Sequence, residues 1–339
     1  MPTIINPFDS GGYSLAEMTQ AINIIPNLYT RLRRIGLFRE EGVTTRTVII
    51  EQAEGVLNLL PQVQLGGPAT VANRDSRSMR SFVIPWIPHD DAITPQDLQD
   101  RRGFGVADAA DPLATLMERK ISRMRMKHLS TREYMEINAL RGVVKDGAGA
   151  TVYDYASEFG VSVPAVDFVL GTAGTNVQAK CREVLRSVED NLKGETMTSL
   201  HALVSPGFFD KLISHPKVEE AYKYYASGQQ PLRQDVRRNF PFAGILFEEY
   251  NATVTLSTGA TETLLPANEG IAFPLGTMDT FVTYFAPANL IETANTIGLP
   301  MYARQLMRPD GSMIDVKTEA SPLPVNKRPG LAVRLHTSN

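Results

Sequence analysis

At 339 residues, with 43% hydrophobic and 21% charged side chains, the chain has the makeup of a folded protein that buries a real core in one to three domains. Its net charge of -3 lacks the basic excess of a dedicated nucleic-acid binder, and a single cysteine, Cys181, excludes an intrachain disulfide. No run approaches the roughly 18 apolar residues of a membrane span. The start, Met1-Pro2-Thr3-Ile4-Ile5-Asn6, lacks the basic and apolar regions of a secretory signal, so the expectation is a protein made and kept in a cytosol.

Residues 1–12 carry no periodic pattern and read as an irregular arm. Ser14-Leu15-Ala16-Glu17 is a capping box: the serine caps the helix and the glutamate reaches back. The helix it starts runs to about Ile25, where Pro26 removes an N–H and ends it. Residues 43–51 are β-branched and predict a strand. Two further strand-like runs, 56–64 and 79–87, flank a polar stretch with Gly66-Gly67-Pro68 and Asn73-Arg74-Asp75-Ser76. They predict a β-hairpin arm reaching roughly 30 Å at ~3.3 Å per residue. A lone two-stranded ribbon is marginal in water, so such an arm needs a surface to lie on, and a neighbouring copy supplies one.

Asp111-Pro112 opens the longest helical pattern, with proline at the first helical position. Leu113, Leu116, Met117, Ile121, Met124, Leu129, Met135, Ile137 and Leu140 supply its apolar positions, and Gly142 and Gly147 mark its end. Ser130-Thr131, both cap-favouring, mark a point where it could break. Residues 150–193 read as helix interrupted at Gly160 and 171–174, closing with an amphipathic stretch that Gly194 ends. Residues 201–204 predict a short buried strand, and 206–225 a helix broken at Pro216. Residues 242–250, 252–256 and 270–273 read as strands. Arg308-Pro309-Asp310-Gly311 is a turn, followed by alternation over 313–319 and a last strand at 331–335.

The motifs of common chemistry are missing. There is no phosphate-binding Gly-x-x-x-x-Gly-Lys-Ser/Thr, no His-Glu-x-x-His, no paired Cys-x-x-Cys and no Gly-x-Ser-x-Gly. Gly147-Ala148-Gly149 begins like a dinucleotide loop but lacks the third glycine. His89, His128, His201, His215 and His336 are scattered and read as structural or surface histidines. Cys181 reads as a buried small hydrophobe, and Asp90-Asp91 beside His89 as a solvated turn in a proline-rich loop. Arg119, Lys120, Arg123, Arg125, Lys127 and Arg132 make the long helix basic, which suits a solvated face or salt bridges between subunits better than a nucleic-acid surface. No catalytic, cofactor or metal site is expected. An enzyme with an unrecognised site and a monomeric binding module are the competing classes.

The order of these parts resembles the lambda-type major capsid family, phage capsid family E, with its Hong Kong 97-like fold. Pro26-Asn27-Leu28-Tyr29-Thr30-Arg31-Leu32, Phe38-Arg39-Glu40 and Thr44-Thr45-Arg46-Thr47-Val48 are similar to the family's N-terminal block. Val204-Ser205-Pro206-Gly207-Phe208-Phe209 and Leu212-Ile213-Ser214-His215-Pro216-Lys217-Val218 resemble its entry into the central domain. Leu264-Leu265-Pro266 with 270–276, and Glu319-Ala320-Ser321-Pro322-Leu323-Pro324, resemble later blocks, so the likeness spans nearly the whole chain.

The resemblance implies an α+β capsid subunit. Residues 1–55 would be the N-terminal arm and the start of a peripheral domain, 56–88 an extended hairpin called the E-loop, and 89–155 the peripheral domain with a long spine helix. Residues 156–300 would be an axial domain and 301–339 the return to the peripheral sheet. Leu65, Gly66, Gly67, Arg74, Arg77 and Arg80 would make contacts between subunits. Copies would form hexamers and pentamers of an icosahedral shell around double-stranded DNA, held without sequence specificity. Scaffold, portal and decoration proteins would be partners, assembly would take place in the host bacterial cytoplasm, and no membrane would be involved. An encapsulin-type compartment is the alternative. Some shells of this fold cross-link through an E-loop lysine, but the first lysine here is Lys120, so this arm cannot form that bond.

Overall fold

The computed structural model describes residues 31–54, 76–98, 113–225 and 236–339. The expected helix at 14–25, the strand at 56–64, the turn at 66–68 and Asp111-Pro112 lie outside them. The chain enters through a short helix α1 (Arg31–Ile35) and strand β1 (Arg39–Gly42). Strands β2 (Thr47–Glu54) and β3 (Ser76–Val83) pair antiparallel along their whole length, from Thr47 opposite Val83 to Glu54 opposite Ser76. The ribbon therefore uses as its first strand the β-branched run expected at 43–51. The second strand ends at Val83, and β4 (Ile87–Ile93) begins a different sheet.

That position of β4 corrects the reading of Asp90-Asp91 as a solvated turn. β4 is the edge of a sheet ordered β15 (Tyr302–Met307), β16 (Ile314–Ala320), β4, where Asp91 lies opposite Val316. An edge strand tolerates Pro88, because the missing N–H can face away from the ladder.

After the short helix α2 (Pro95–Leu98), helix α3 (Leu113–Leu140) runs unbroken for 28 residues, roughly 42 Å at 1.5 Å per residue. The break allowed at Ser130-Thr131 does not occur: the Thr131 hydroxyl donates to the Lys127 carbonyl at 2.9 Å, satisfying itself inside the helix. Residues 132–140 are buried all round, so no apolar stripe is visible there.

The helix reading of residues 150–193 is also corrected. Strands β5 (Val143–Lys145) and β6 (Thr151–Asp154) form a hairpin. Its turn is held by Asp146, whose Oδ1 accepts from the N–H groups of Ala148 and Ala150, with Gly149 at φ +86°. The dinucleotide-like Gly147-Ala148-Gly149 is thus turn chemistry. Helix α4 (Tyr155–Phe159), capped by Asp154, and strand β7 (Ala165–Asp167) precede the amphipathic helix α5 (Val177–Leu192).

The rest forms mostly one layer. Strand β8 (Ser199–Val204) leads into helices α6 (Pro206–Ile213) and α7 (Pro216–Tyr225), split at Pro216 as expected. The strand expected at 242–250 is instead a hairpin of β9 (Phe240–Phe242) and β10 (Ile245–Glu249). Ala243 and Gly244 both take positive φ there, the geometry that joins twisted strands in two residues. Strands β11 (Thr253–Thr255) and β12 (Thr261–Thr263) make a small hairpin. Strands β13 (Glu269–Leu275) and β18 (Val333–His336) complete a six-stranded sheet ordered β7-β18-β13-β8-β10-β9. Strands β14 (Phe281–Phe285) and β17 (Pro322–Asn326) form a third sheet with β1.

Three cores result. One lies under α5 and α6 on the six-stranded sheet and includes Cys181. A second gathers the ribbon, the end of α3, α4 and the β1-β14-β17 sheet. The third joins the start of α3 to β4, β15 and β16.

Candidate assembly surface

The ribbon carries large apolar side chains on both of its faces. Period-two alternation sends Val48, Ile50 and Phe82 into the core and Ile49, Met79 and Val83 outward. Phe82 sits against Tyr153, Tyr155 and Phe159 with ring centroids 5.2, 5.6 and 6.0 Å away. Tyr153 closes the base: its hydroxyl accepts from the Val83 N–H at 2.8 Å and donates to the Val83 carbonyl at 3.0 Å. The outer face stays open, with Ile49 66%, Met79 71% and Val83 57% exposed. Trp86, 45% exposed, continues this apolar surface beyond the base and donates from Nε1 to Glu319 at 2.7 Å.

Beside the ribbon base lies a groove of about 900 Å³. Pro85, Trp86, Tyr134, Met135, Val152 and Leu256 supply much of its apolar wall. Strand β11 forms one rim. Leu256 N–H bonds the Ala260 carbonyl and Leu264 N–H the Ala252 carbonyl, which fixes the ladder's parity. The backbone groups of Thr253 and Thr255 therefore point away from β12, leaving an open strand edge.

Of the residues expected to contact another subunit, Leu65, Gly66, Gly67 and Arg74 lie outside the described residues. Arg77 is on β3 opposite Ala53. Arg80 turns toward its own chain, 3.8 Å from Glu158 and 5.5 Å from the Phe159 ring centre.

The basic face of α3 is largely consumed within the chain. Lys120 Nζ donates to Asp91 at 2.9 Å and to the Ala92 carbonyl. Although burial opposes its charge, the bond from Lys120 holds Asp91 below the usual carboxylate range. Arg132 is buried between Glu136 at 2.6 Å and Glu40 at 2.9 Å and lies over the Phe285 ring. Next to it, Glu133 receives the entering chain: its Oε1 accepts from the N–H groups of Arg31 and Leu32 and from the Tyr250 hydroxyl. Burial and then the neighbouring Glu136 push the Glu133 carboxyl up to about 7. Arg31 itself pairs with Glu248 at 2.6 Å, and His201 donates to the same carboxylate at 3.1 Å. Burial works against Glu248 ionising, but these partners hold it below its ordinary value. Sequence reasoning missed this network, because Glu40 and Glu248 lie far along the chain from Glu133 and Glu136 and the set shows no motif.

The histidines do not gather at a metal-like site, and among the described residues no three His, Cys, Asp or Glu side chains stand so as to hold an ion. Cys181 is buried, and burial pushes its thiol up to about 12, away from nucleophilic chemistry. Among the described residues no helix is long and apolar enough to cross a membrane.

Comparison with known proteins agrees with this geometry. Residues 14–337 match the family described as phage major capsid protein E. A major capsid protein of Pseudomonas phage KPP10 is 32% identical, with 98% of each chain covered, and one of Salmonella phage Felix O1 is 26% identical over 95% of each. The fold is similar to that of the capsid of cyanophage P-SCSP1u, at a TM-score of 0.57 and 10% identity, covering 93% of this chain and 90% of that one. It is also similar to the mature capsid of bacteriophage PhiM1, at 0.54 and 13% identity, covering 89% and 85%.

Proposed function

The chain belongs to the phage major capsid protein E family, and we propose that its copies build the icosahedral shell around the double-stranded DNA of a tailed bacteriophage. Its fold is Hong Kong 97-like and α+β. The observation that carries the reading is the ribbon β2–β3, which carries large apolar side chains on both faces, Ile49, Met79 and Val83 among Thr47, Glu51 and Ser81 on the outer one, and packs on its own body by only one. A two-stranded ribbon with an uncovered apolar face is unstable alone and gains from a second copy laid against it. Of residues 55–75, which join its two strands, only Arg74 and Asp75 are charged, a composition suited to a buried contact.

In this reading the ribbon with residues 55–75 is the E-loop, and Leu65, Gly66, Gly67, Arg74 and Arg77 meet a neighbouring subunit. Arg80 anchors the arm to its own body through Glu158. The peripheral domain comprises the second and third cores around α3, and the axial domain the six-stranded sheet, which β18 joins at the end of the chain. Hexamers and pentamers are the building units, and scaffold, portal and decoration proteins are partners. The shell carries no catalytic role, is assembled in the host cytoplasm and becomes part of the virion. Lacking an E-loop lysine, it is held by buried area and ion pairs, with an accessory cementing protein as a further source of strength. The virus is favoured over a cargo compartment of the same fold, because both curated relatives are phage capsid proteins.

The test is a double substitution on the outer face, Ile49→Ser with Met79→Ser, compared with the parent by sedimentation velocity. The variant is expected to fold and to stay as small species where the parent forms large assemblies. Assembly equal to the parent's would contradict the reading.

A further inference from the structure

Where α3 lies on the edge strand β4, at one end of the groove, Lys127, His89 and His128 come together. The hydroxyl of Thr318 donates to the His89 carbonyl at 2.8 Å, so toward His128 it can only accept. The Nε2 of His128, 3.0 Å away, therefore carries the hydrogen. On the other side, Lys127 Nζ is 3.1 Å from His89 Nε2. An ammonium has only hydrogens to offer, so that ring nitrogen is a bare acceptor. The two imidazoles stand edge to face, with centroids 6.2 Å apart.

We propose that Lys127, His89 and His128 form an acid-released clasp between the long helix and the β15-β16-β4 sheet. The Lys127–His89 bond exists only while the His89 ring is neutral, and His128, which donates to Thr318 in either state, sits there without a buried charge only while its own ring is neutral. A proton on His89 Nε2 would turn the Lys127 contact into two cations 3.1 Å apart and remove the acceptor. A proton on His128 would add a buried charge beside both.

The surroundings do not rescue such a charge. On β4, Asp91 shares the face of His89 but is taken by Lys120, and Asp90 alternates to the exposed side of the strand. From β16, Lys317 and Glu319 flank Thr318, and Glu319 is taken by Trp86 and the Asn289 N–H. The helix adds Arg125 and Arg132, the latter committed to Glu136 and Glu40, and Arg33 lines the adjoining cleft with His128. In accord with this geometry, burial first, then His89 and Lys127, push His128 down to about 4. Burial and Lys127 lower His89 against the pull of Asp91 and Asp90. The folded chain thus binds fewer protons than the unfolded one below the ordinary histidine value near 6.5. The clasp's stability is complete above that pH and is lost as pH falls toward 4.

The test is hydrogen exchange followed by mass spectrometry on the full-length protein at pH 7 and pH 4.5, with rates corrected for intrinsic pH dependence. The six-stranded sheet serves as internal reference. In the parent, peptides covering β4 and β16 are expected to lose protection on the order of tenfold or more on acidification, while the reference sheet keeps its own. Lys127→Met, at an exposed position, removes the cation that faces His89 Nε2, so the loss should shrink; His89→Gln should shrink it too. Equal loss in the parent and both variants, or loss spread evenly over the reference sheet, would overturn the clasp, and so would an unchanged β4 in the parent at pH 4.5.

Discussion

Glu133 is a buried acid that earns its place by ordering the chain's entry into the body. One oxygen receives two backbone N–H groups of α1 and the Tyr250 hydroxyl, yet burial raises its carboxyl to about 7. Because the folded value lies above the unfolded one, its contribution to stability is full below about 4.5 and is lost as pH rises through 7. Glu133→Gln keeps the accepting oxygen and removes the charge. Chemical denaturation should find it level with the parent at pH 5 and more stable at pH 8, by on the order of 2 kcal/mol. Glu133→Leu removes the acceptor and should destabilise at both pH values, by about 2 kcal/mol. Gly298 makes a different residue-scale case. A Cβ there would meet the Phe285 carbonyl oxygen at 2.0 Å, on backbone that cannot swing aside. Gly298→Ala should lower the melting temperature, at a cost of roughly 2 kcal/mol or more from overpacking.

At the scale of elements, the ribbon depends on Phe82, which fills the space between Tyr153, Tyr155 and Phe159. Phe82→Ala should cost roughly 3–5 kcal/mol and should raise proteolytic cleavage within 47–83 before any other region. Elements were legible where local chemistry and tertiary setting agree: the long helix, the break at Pro216, the turn at Arg308-Pro309-Asp310-Gly311 and the β-branched strand at the ribbon's start. They were misread where tertiary pairing decides. Residues 151–154 hold only a short run of strand formers, Thr151, Val152 and Tyr153, and become a strand because Asp146 closes a turn onto 143–145. Pro85 and Pro88 make β4 look like a loop, while its pairing with β16 supplies what proline withholds. Cys181's burial was legible from the amphipathic pattern of α5. The pairing of Arg132 with Glu40 and Glu136 was not, since its partner Glu40 is 92 positions away.

At the scale of the molecule, two of the three cores meet along the long helix and the third lies on the six-stranded sheet, with the outer face of the ribbon and the open edge of β11 both left for another chain. The assembly reading was within reach of the sequence, because an arm that cannot stand alone implies a neighbour. The surfaces themselves were not, because which alternate residues of the ribbon face outward depends on register. The most direct test of the central claim is electron microscopy of the purified full-length protein, alone and after co-expression with the neighbouring genes of its own genome. Closed shells, or rings of five and six copies, are the predicted result in at least one of the two preparations. A uniform single-chain particle in both would contradict the account.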